Sequence, residues 1–341
     1  MQKKIQNHLL SALVVWFLSF VLVAIIFEGA ARICFKGTAY VPGKEILNGQ
    51  KYLKPDDKVG YLWKENISWE DDIRLTWRDQ KSNPLSTDEF GFLNHPSAIK
   101  KIKKNHTADV IGLGDSFVHD AAYIFYEKFS KKNKSYYNLA MPRHCPPQYN
   151  IILKNYAISL KPGLIIYGVY ENDFDETRDF FSWKKSGLDW FFFHSGTWCG
   201  PSLSQWKIFR TYFPGTYAFY RAVRKSFLKV SETPKIEDIR KVAELIKEAN
   251  DIARGHNARF ILLLIPDKRT LESKKAPGNY AYNQLESLIK NSGVETIDLR
   301  KFFEKSDIPK YYYKIDNHWN EDGIDEAFSI IEKYLKNDNV N

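Results

Sequence analysis

Five short apolar stretches, separated by longer segments with helical periodicity, constrain the fold of this 341-residue chain more than any other feature. The apolar stretches are predicted strands, and they lie at 108–113, 135–140, 163–169, 259–265 and 293–297. The segments with helical periodicity lie near 117–131, 146–160, 236–254, 279–291 and 321–337. This alternation is the signature of a parallel sheet with helices on both faces. We therefore expect an α/β domain with a five-stranded parallel sheet.

The first predicted strand ends in the tripeptide Gly-Asp-Ser116, which places a serine hydroxyl where the strand turns into a helix. Open α/β sheets carry their chemistry at this carboxyl edge. A serine becomes a nucleophile when an imidazole takes its proton, and a carboxylate on the other ring nitrogen orients that imidazole. His318 and Asp316 are the candidates for these two roles.

Other interpretations of this strand end compete with a nucleophile. A dinucleotide-binding fingerprint requires a third glycine where the chain has Phe117, so a nicotinamide site is disfavoured. The nucleophile elbow of α/β-hydrolases requires a glycine where the chain has Val118. The remaining alternative is structural, because serine is a favoured residue at the N-cap of a helix.

Further residues distinguish between these interpretations. The sequence Gly-Asp-Ser116, then Asn172 after an apolar strand, then Asp316-x-His318, resembles the SGNH/GDSL hydrolase superfamily in residue type and order. The resemblance covers roughly residues 85 to 338. It implies a flavodoxin-like three-layer α/β/α fold, the SGNH hydrolase fold, and chemistry on ester bonds that requires neither a cofactor nor a metal.

Two flanking motifs extend the resemblance toward membrane-anchored members of the superfamily. The segment Asp88-x-x-Gly91-Phe92 precedes the serine, and Trp319-Asn-x-x-Gly323 follows the histidine. The segment after the histidine also leads into an amphipathic helix, which favours His318 over the other seven histidines as the base. His119 and His144 lie close enough to the serine and its neighbouring loop to be the main competitors.

The resemblance assigns roles residue by residue. Ser116 would be the nucleophile, His318 the base and Asp316 the orienting carboxylate. The Ser116 N–H and the Asn172 side-chain amide would donate to the oxyanion; removal of one such donor typically costs a factor of roughly 100 to 1,000 in rate. A turn after the strand is the alternative interpretation of Asn172.

The chain departs from the family pattern in two places. The loop after the second strand, 137–143, contains no glycine, although the family normally takes an oxyanion donor from a glycine there. A backbone N–H of Ala140 or Arg143 would have to substitute. One residue separates Asp316 from His318, where the family usually has two. A one-residue spacing recurs in anchored relatives.

Residues 9–27 contain no charged residue and are long enough to cross a hydrocarbon core of roughly 30 Å. A cleaved signal peptide and a buried core helix are the alternatives. Lys3 and Lys4 before the span favour a cytoplasmic N-terminus. We expect a single-pass membrane protein with an extracytoplasmic (periplasmic or extracellular) domain. The expected organisation is an anchor at 1–36, a stalk and lead-in segment at 37–105 and the hydrolase-like domain at 106–341.

An aromatic-rich insert at 177–235 interrupts the strand–helix alternation directly after Asn172. Its rings are expected either to overhang the active site and contact sugar, acyl chain or membrane, or to pack the core of a helical cap. Cys145 and Cys199 are candidates for a disulfide in an exported domain. A zinc site from His144, Cys145, His194 and Cys199 matches no common spacing.

The formal charge of +9 arises from 50 basic and 41 acidic residues in short scattered runs, which is typical of a solvated surface rather than a nucleic-acid site. The sequence thus predicts a membrane-anchored serine esterase or O-acyltransferase acting on O-acyl, most simply O-acetyl, groups of an envelope glycan. Whether water or a sugar hydroxyl accepts the acyl group stays open. The alternative is an inactive relative that binds glycan or an envelope-assembly partner, motivated by the missing loop glycine.

Overall fold

The computed structural model describes residues 15–30, 53–67, 85–187, 216, 219, 233–313 and 317–337. The chain divides into two compact units: Met1–Leu47 with Ser202–Val230, and Asn48–Pro201 with Ser231–Asn341. The second unit contains the α/β fold that the sequence predicts.

A five-stranded sheet, parallel throughout, forms the centre of the second unit. Its strands are β5 (Val110–Leu113), β6 (Tyr136–Asn138), β7 (Leu164–Tyr170), β8 (Arg259–Ile265) and β9 (Glu295–Asp298). They are ordered β6-β5-β7-β8-β9, with Ile111 opposite both Tyr137 and Ile165. This is the flavodoxin-like order, in which the chain reverses its direction of travel across the sheet between β5 and β7. The predicted α/β class and five-stranded parallel sheet are therefore confirmed.

The sheet is buried on both faces, as its continuous apolar strands require. Along β7, Ile165 and Tyr167 belong to one hydrophobic core, whereas Leu164 and Ile166 belong to the other. Because strand side chains alternate between faces, the two cores lie on opposite faces of the sheet. Each core lies between the sheet and one helical layer of an α/β/α sandwich.

The helices of this unit are α1 (Pro96–Asn105), α2 (Ser116–Asp120), α3 (Ala122–Ser130), α4 (Pro146–Ile152), α5 (Asp173–Ser186), α6 (Ile236–Gly255), α7 (Lys268–Glu272), α8 (Pro277–Ile289), α9 (Ile308–Tyr311) and α10 (Glu321–Asn337). The predicted helix at 146–160 is α4 followed by a π-helical turn (Leu153–Ala157) and a 3₁₀ turn (Ile158–Leu160). Helices α4, α5 and α8 pack around α6, and α10 packs against α3. The two groups cover opposite faces of the sheet.

The lead-in segment is more structured than its sequence indicates. It forms two short hairpins, β1 (Leu53–Asp56) with β2 (Gly60–Trp63) and β3 (Ser86–Thr87) with β4 (Leu93–Asn94), followed by α1. Helix α1 has a basic outer face and buries only Ala98 and Ile102, so its apolar periodicity in the sequence is weak.

The Asp88-x-x-Gly91-Phe92 motif is a turn closed by a carboxylate. Oδ1 of Asp88 accepts hydrogen bonds from the N–H groups of Phe90, Gly91 and Phe92 at 2.7–2.9 Å. Its Oδ2 accepts the hydroxyl of Tyr137 on β6 at 2.6 Å. Gly91 has φ 97°, and a side chain there would collide with the Trp63 carbonyl, so this position requires glycine. The motif therefore attaches the lead-in segment to the sheet.

The first unit contains a helix over residues 15–30 with exposed apolar side chains, among them Trp16 and Phe20. Near its end, the Glu28 carboxylate accepts the N–H and hydroxyl of Thr216, both at 2.7 Å. Over the part of the chain that the structure describes, no helix meets the length and hydropathy required of a membrane span. Residues 9–14 of the predicted span lie outside that part.

The insert predicted at 177–235 begins within α5. Phe180 and Trp183 on this helix are buried in the core shared with α6, so these two rings pack the domain rather than overhang the site. Residues 188–215, which contain most of the other aromatic rings, are outside the described residues, as is Cys199.

Candidate active site

Ser116 is the first residue of α2, directly after β5. Asp115 caps this helix: its Oδ1 accepts the Phe117 N–H at 2.9 Å, and its side chain is fully buried. The strand therefore ends abruptly and the serine is half-buried at the carboxyl edge of the sheet. The sharp strand-to-helix turn that the sequence predicts is present.

Two glycines allow α2 to lie close against the sheet. A methyl group on Gly114 or Gly168 would approach Val118 to 2.5 or 2.3 Å. Val118 occupies the position where α/β-hydrolases have a glycine, and here the small residues are on the strands instead. The close packing of helix and strand thus depends on Gly168 of β7 as well as on the glycine before the serine.

His318 faces the serine across this edge. Its Nε2 lies 2.7 Å from Ser116 Oγ, a hydrogen-bonding distance. The imidazole stacks on the Phe117 ring, with centroids 4.7 Å apart and planes at 24°. The next residue, Trp319, is buried and donates its Nε1–H to the Phe117 carbonyl at 3.1 Å. The histidine loop and the serine helix are therefore attached to each other beside the reacting atoms.

The motif after the histidine begins helix α10. Asn320 Oδ1 accepts the Gly323 N–H at 3.0 Å, and its Nδ2 donates to the Lys310 carbonyl at 2.7 Å. A side chain at Gly323 would collide with the Tyr311 carbonyl, which explains the glycine. Asp316, the predicted orienting carboxylate, lies outside the described residues.

Asn172 is the N-cap residue of α5, immediately after β7. Strands β5 and β7 are hydrogen-bonded neighbours, so Ser116 and Asn172 follow adjacent strands at the same edge. The Asn172 Oδ1 is buried, and none of the residues that the structure describes forms a hydrogen bond with it. Asp173, the next residue, accepts the Tyr170 N–H at 2.9 Å and the Tyr149 hydroxyl at 2.8 Å.

In the loop without glycine, the two proposed backbone donors, Ala140 and Arg143, have different surroundings. The N–H of Ala140 donates to Asn138 Oδ1 at 3.3 Å, within a pair of asparagines in which Asn138 N–H also donates to Asn94 Oδ1 at 2.7 Å. Arg143 has φ 61°, the left-handed conformation in which glycine is favoured. Its Nε lies 3.4 Å from Glu176 Oε1, which draws the guanidinium toward α5. Arg143 thus adopts a glycine-like backbone, and its side chain contacts Glu176.

Two fully buried carboxyl groups, Asp115 and Asp173, and the half-buried Glu176 lie beneath this side of the site. Burial raises the pKa of Asp115 to about 7. It raises that of Glu176 to about 8, although Arg143 lowers it and Asp115 raises it further. Burial, followed by the charge of Asp115, also raises the pKa of Asp173. Burial thus disfavours the charged form of all three groups, which reduces the negative charge next to the serine.

The competing histidines lie in other surroundings. His144 is buried and its Nε2 contacts the Tyr61 carbonyl at 3.0 Å, while burial lowers its pKa to about 3. His119 is buried on α2, with Nδ1 3.5 Å from Asp120 Oδ1. Cys145 is a free, buried thiol hydrogen-bonded to Gln148. Within the described ranges no group of His, Cys, Asp or Glu is arranged to hold a metal ion.

The sequence motifs missed several polar residues of the site. Asp267, directly after β8, contacts the histidine loop through Asn317 at 3.0 Å. Glu176 lies one turn into α5 and contacts Arg143. The position of Asp267 after an apolar strand is the same signal that indicated Ser116 and Asn172; Glu176 gives no such signal, because surface helices are rich in glutamate.

Residues 224–340 match the model of a family described as the SGNH hydrolase-like domain of the acetyltransferase AlgX. The matched range contains His318 but not Ser116. No curated protein sequence matches the chain significantly.

Three solved structures illustrate the structural likenesses of the chain. A GDSL-like lipase from Bacteroides thetaiotaomicron is 13% identical over 70% of this chain and 97% of that chain, with a TM-score of 0.43. An acetyl xylan esterase, AlAXEase, is 15% identical over 67% and 98%, at 0.40. A lipase/acylhydrolase from Enterococcus faecalis is 11% identical over 67% and 95%, also at 0.40. At such TM-scores these likenesses support no functional conclusion.

The family match and the motifs therefore point to one group from independent observations. The match covers the C-terminal part of the chain, whereas the Gly-Asp-Ser116 turn belongs to the N-terminal half of the sheet. The serine and histidine that the motifs identify lie within hydrogen-bonding distance. Residues 224–340 are thus similar to the SGNH hydrolase-like domain of an acetyltransferase family, and the Gly-Asp-Ser116 turn outside that range carries the motif by which the sequence resembles the same superfamily.

Proposed function

We propose that this protein is a membrane-anchored serine esterase or O-acyltransferase that acts on O-acyl groups of an extracytoplasmic glycan. The observation that carries the proposal is the 2.7 Å distance between Ser116 Oγ and His318 Nε2. The acetyltransferase family matched by residues 224–340 supports acetyl as the acyl group. The uncharged run at 9–27 supports the anchor, because a lipid-facing helix requires such a sequence.

The proposed reaction begins with attack of Ser116 Oγ on the ester carbonyl while His318 Nε2 takes the hydroxyl proton. The carbonyl oxygen becomes an oxyanion, to which the Ser116 N–H and the Asn172 side-chain amide donate. Collapse of this intermediate expels the glycan alkoxide, which receives the proton from His318. The product of this half-reaction is an acyl-serine.

The second half-reaction consumes the acyl-serine. Water or a sugar hydroxyl loses its proton to His318 and attacks the acyl carbon, and the serine leaves with that proton. Water gives esterase activity, and a sugar hydroxyl gives transfer. Asp316 is proposed to accept from the other imidazole nitrogen and so fix the tautomer.

The carboxyls under the oxyanion side fit this chemistry because burial disfavours their charged forms. A fixed negative charge close to a developing oxyanion would raise the barrier. The pKa values of about 7 for Asp115 and about 8 for Glu176 keep much of that charge absent near neutral pH. Arg143 offsets what remains.

The test is active-site labelling of the full-length protein in detergent with a fluorophosphonate probe, which reacts with activated serines. We expect labelling of the wild type, loss of labelling in Ser116→Ala and His318→Ala, and wild-type labelling in Ser159→Ala. Ser159 is the matched control because its exposed hydroxyl only contacts the Tyr156 carbonyl at 2.8 Å. A folded wild type that resists the probe would overturn the proposal and favour the inactive, glycan-binding alternative.

Transfer and hydrolysis are then separated by substrate. The wild-type enzyme is incubated with acetylated glycans, with and without an acceptor glycan. Released acetate and acetylated acceptor are both measured. An acetylated acceptor identifies a transferase; free acetate alone identifies an esterase. Deacylation of lipids without action on any glycan would contradict the glycan substrate while leaving the serine mechanism intact.

A further inference from the structure

The loop that carries His318 is attached to the end of β8 by a buried carboxylate that the proposed mechanism does not use. Asp267 follows β8 and its side chain is fully buried. Its Oδ2 accepts the Asn317 Nδ2–H at 3.0 Å and the Tyr170 hydroxyl at 2.6 Å. Asn317 is the single residue that separates Asp316 from His318, so this hydrogen bond acts on the immediate neighbour of the histidine.

The second partner of Asp267 contacts the site from the other direction. The Tyr170 ring packs on Phe117 with centroids 4.1 Å apart, and Phe117 in turn stacks on the His318 ring at 4.7 Å. The Asp267 carboxylate is thus connected to the His318 imidazole by two routes. One runs through Asn317, the preceding residue, and the other through the rings of Tyr170 and Phe117. Both the backbone beside the imidazole and the surface on which it stacks are therefore fixed by one group.

The charge of Asp267 is balanced on its outer side. Its Oδ1 accepts the backbone N–H of Arg269 at 2.8 Å and the Arg269 Nε–H at 3.0 Å. Burial opposes ionisation, but the hydrogen bonds from Arg269 and Tyr170 outweigh it and hold the pKa of Asp267 below its usual value. The pKa of the nearby Glu171 carboxyl shifts in the opposite direction, because burial and the charge of Asp267 raise it to about 7. Asp267 is thus the ionised member of the pair.

The geometry points to Asp267 as a positioning residue for His318: through Asn317 and Tyr170 it holds the imidazole at hydrogen-bonding distance from Ser116 Oγ. This inference rests on the proposed function, in which that imidazole is the base. Asp267 does not touch the reacting atoms and acts through the position of the base. Its effect is therefore expected in the chemical step rather than in substrate binding.

The experiment uses the full-length protein and alters Asn317, because a half-buried loop residue tolerates substitution better than buried Asp267. Asn317→Ala removes one hydrogen bond, and a displaced catalytic group typically costs roughly 10- to 100-fold in rate. We expect that loss in the probe-labelling rate and in kcat for a small acetyl ester, with KM unchanged. Asn155→Ala, which loses an amide contact of 2.7 Å on a remote helix, should match the wild type.

Asn317→Asp is the sharper variant, because it places a carboxylate opposite the ionised Asp267. Two carboxylates at this distance share a proton at low pH and repel when both ionise. The ratio of variant to wild-type kcat should therefore fall as pH rises, a dependence that a general loss of stability would not produce. Tyr170→Phe combined with Asn317→Ala should be less harmful than the product of the single effects, since both act through Asp267.

Wild-type rates and a flat pH ratio in the Asn317 variants would overturn the positioning role. A wild type that resists the probe would overturn the proposed function instead, and Asp267 is then tested by the imidazole pKa of His318, measured by NMR and assigned with His318→Ala. A pKa that differs between wild type and Asn317→Ala supports positioning; identical titrations contradict it.

Discussion

The two sides of Ser116 are stabilised by different physics. On the histidine side, rings stack around Phe117 and the carboxylate of Asp267 is ion-paired with Arg269 at 3.0 Å. On the oxyanion side, Asp115 and Asp173 are fully buried, Glu176 is half-buried, and the pKa values of all three are raised. Asp267 on the first side stays ionised through neutral pH, whereas the carboxyls of the second side are uncharged only below their raised pKa values. The histidine side thus fixes the position of the base, whereas the oxyanion side keeps negative charge low beside the serine.

The largest expected effect removes the base from the histidine side. His318→Ala should lower kcat on the order of 10⁶-fold, because an unactivated serine hydroxyl hardly reacts. Kinetics on an activated acetyl ester measure the loss. His256→Ala, at an exposed histidine whose Nδ1 contacts the Ile252 carbonyl at 2.9 Å, is the matched control and should retain wild-type kcat. A His318→Ala protein with more than a few per cent of wild-type kcat would break the comparison, since position on this side would not matter.

The next effect concerns the oxyanion side. Asn172→Ala should lower kcat by roughly 100- to 1,000-fold with little change in KM, because the amide acts on charge that develops only in the transition state. Asn283→Ala, which loses an exposed contact with Arg300 at 3.0 Å, is the control. An equal rise in KM with kcat unchanged would instead indicate that Asn172 binds the ground state.

A pH series separates the two sides most directly. Glu176 binds its proton more tightly in the folded protein, where its pKa is about 8, than in the unfolded chain, where it is near 4.5. Stability from this group is therefore complete below pH 4.5 and declines as pH rises toward 8. Glu176→Gln, which stays neutral, should flatten the fall in Tm between pH 5 and 8, measured by thermal unfolding.

The control for this series is Glu286→Gln. Glu286 lies on α8, and its partly exposed carboxylate pairs with Arg300 at 3.0 Å. It should leave the pH dependence of Tm close to that of the wild type. A Glu176→Gln protein whose Tm falls as steeply as that of the wild type would contradict the assignment of the neutral carboxyl to the oxyanion side.

The smallest effect concerns the strand surface on which α2 rests. Gly168→Ala would place a methyl group 2.3 Å from the Val118 side chain, and such overpacking costs about 1–3 kcal/mol of unfolding free energy. Gly255→Ala should be neutral or slightly stabilising, because the added methyl group would meet no described atom within 4 Å beyond its own stretch of helix. Denaturant unfolding measures both. If α2 shifts to accommodate the methyl group, kcat should fall together with stability, because both sides of the site depend on the position of Ser116.

Much of the fold was predictable because the sheet is buried on both faces. Strands such as β7 and β8 are continuous apolar runs, and helix α10 shows clear amphipathic periodicity with buried Ile324, Phe328 and Ile331. The lead-in segment was less predictable, since its hairpins are short and its helix α1 buries few residues. The resemblance also predicted roles for Ser116, Asn172 and His318, but the distance between the serine and the histidine came from the structure.

The sequence by itself determined the α/β class, the order of strands and helices along the chain, and the serine, asparagine and histidine placed at strand ends or a helix start, because hydrophobic periodicity and turn residues are local signals. Only the tertiary structure decided which of these residues meet. It brought His318 to Ser116 over 202 residues of chain, gave Arg143 its left-handed backbone with a partner in Glu176, and connected Asp267 to Asn317. Such contacts depend on where distant strands end in space, and the energies of burial and charge pairing that set them are properties of the assembled edge rather than of any one segment.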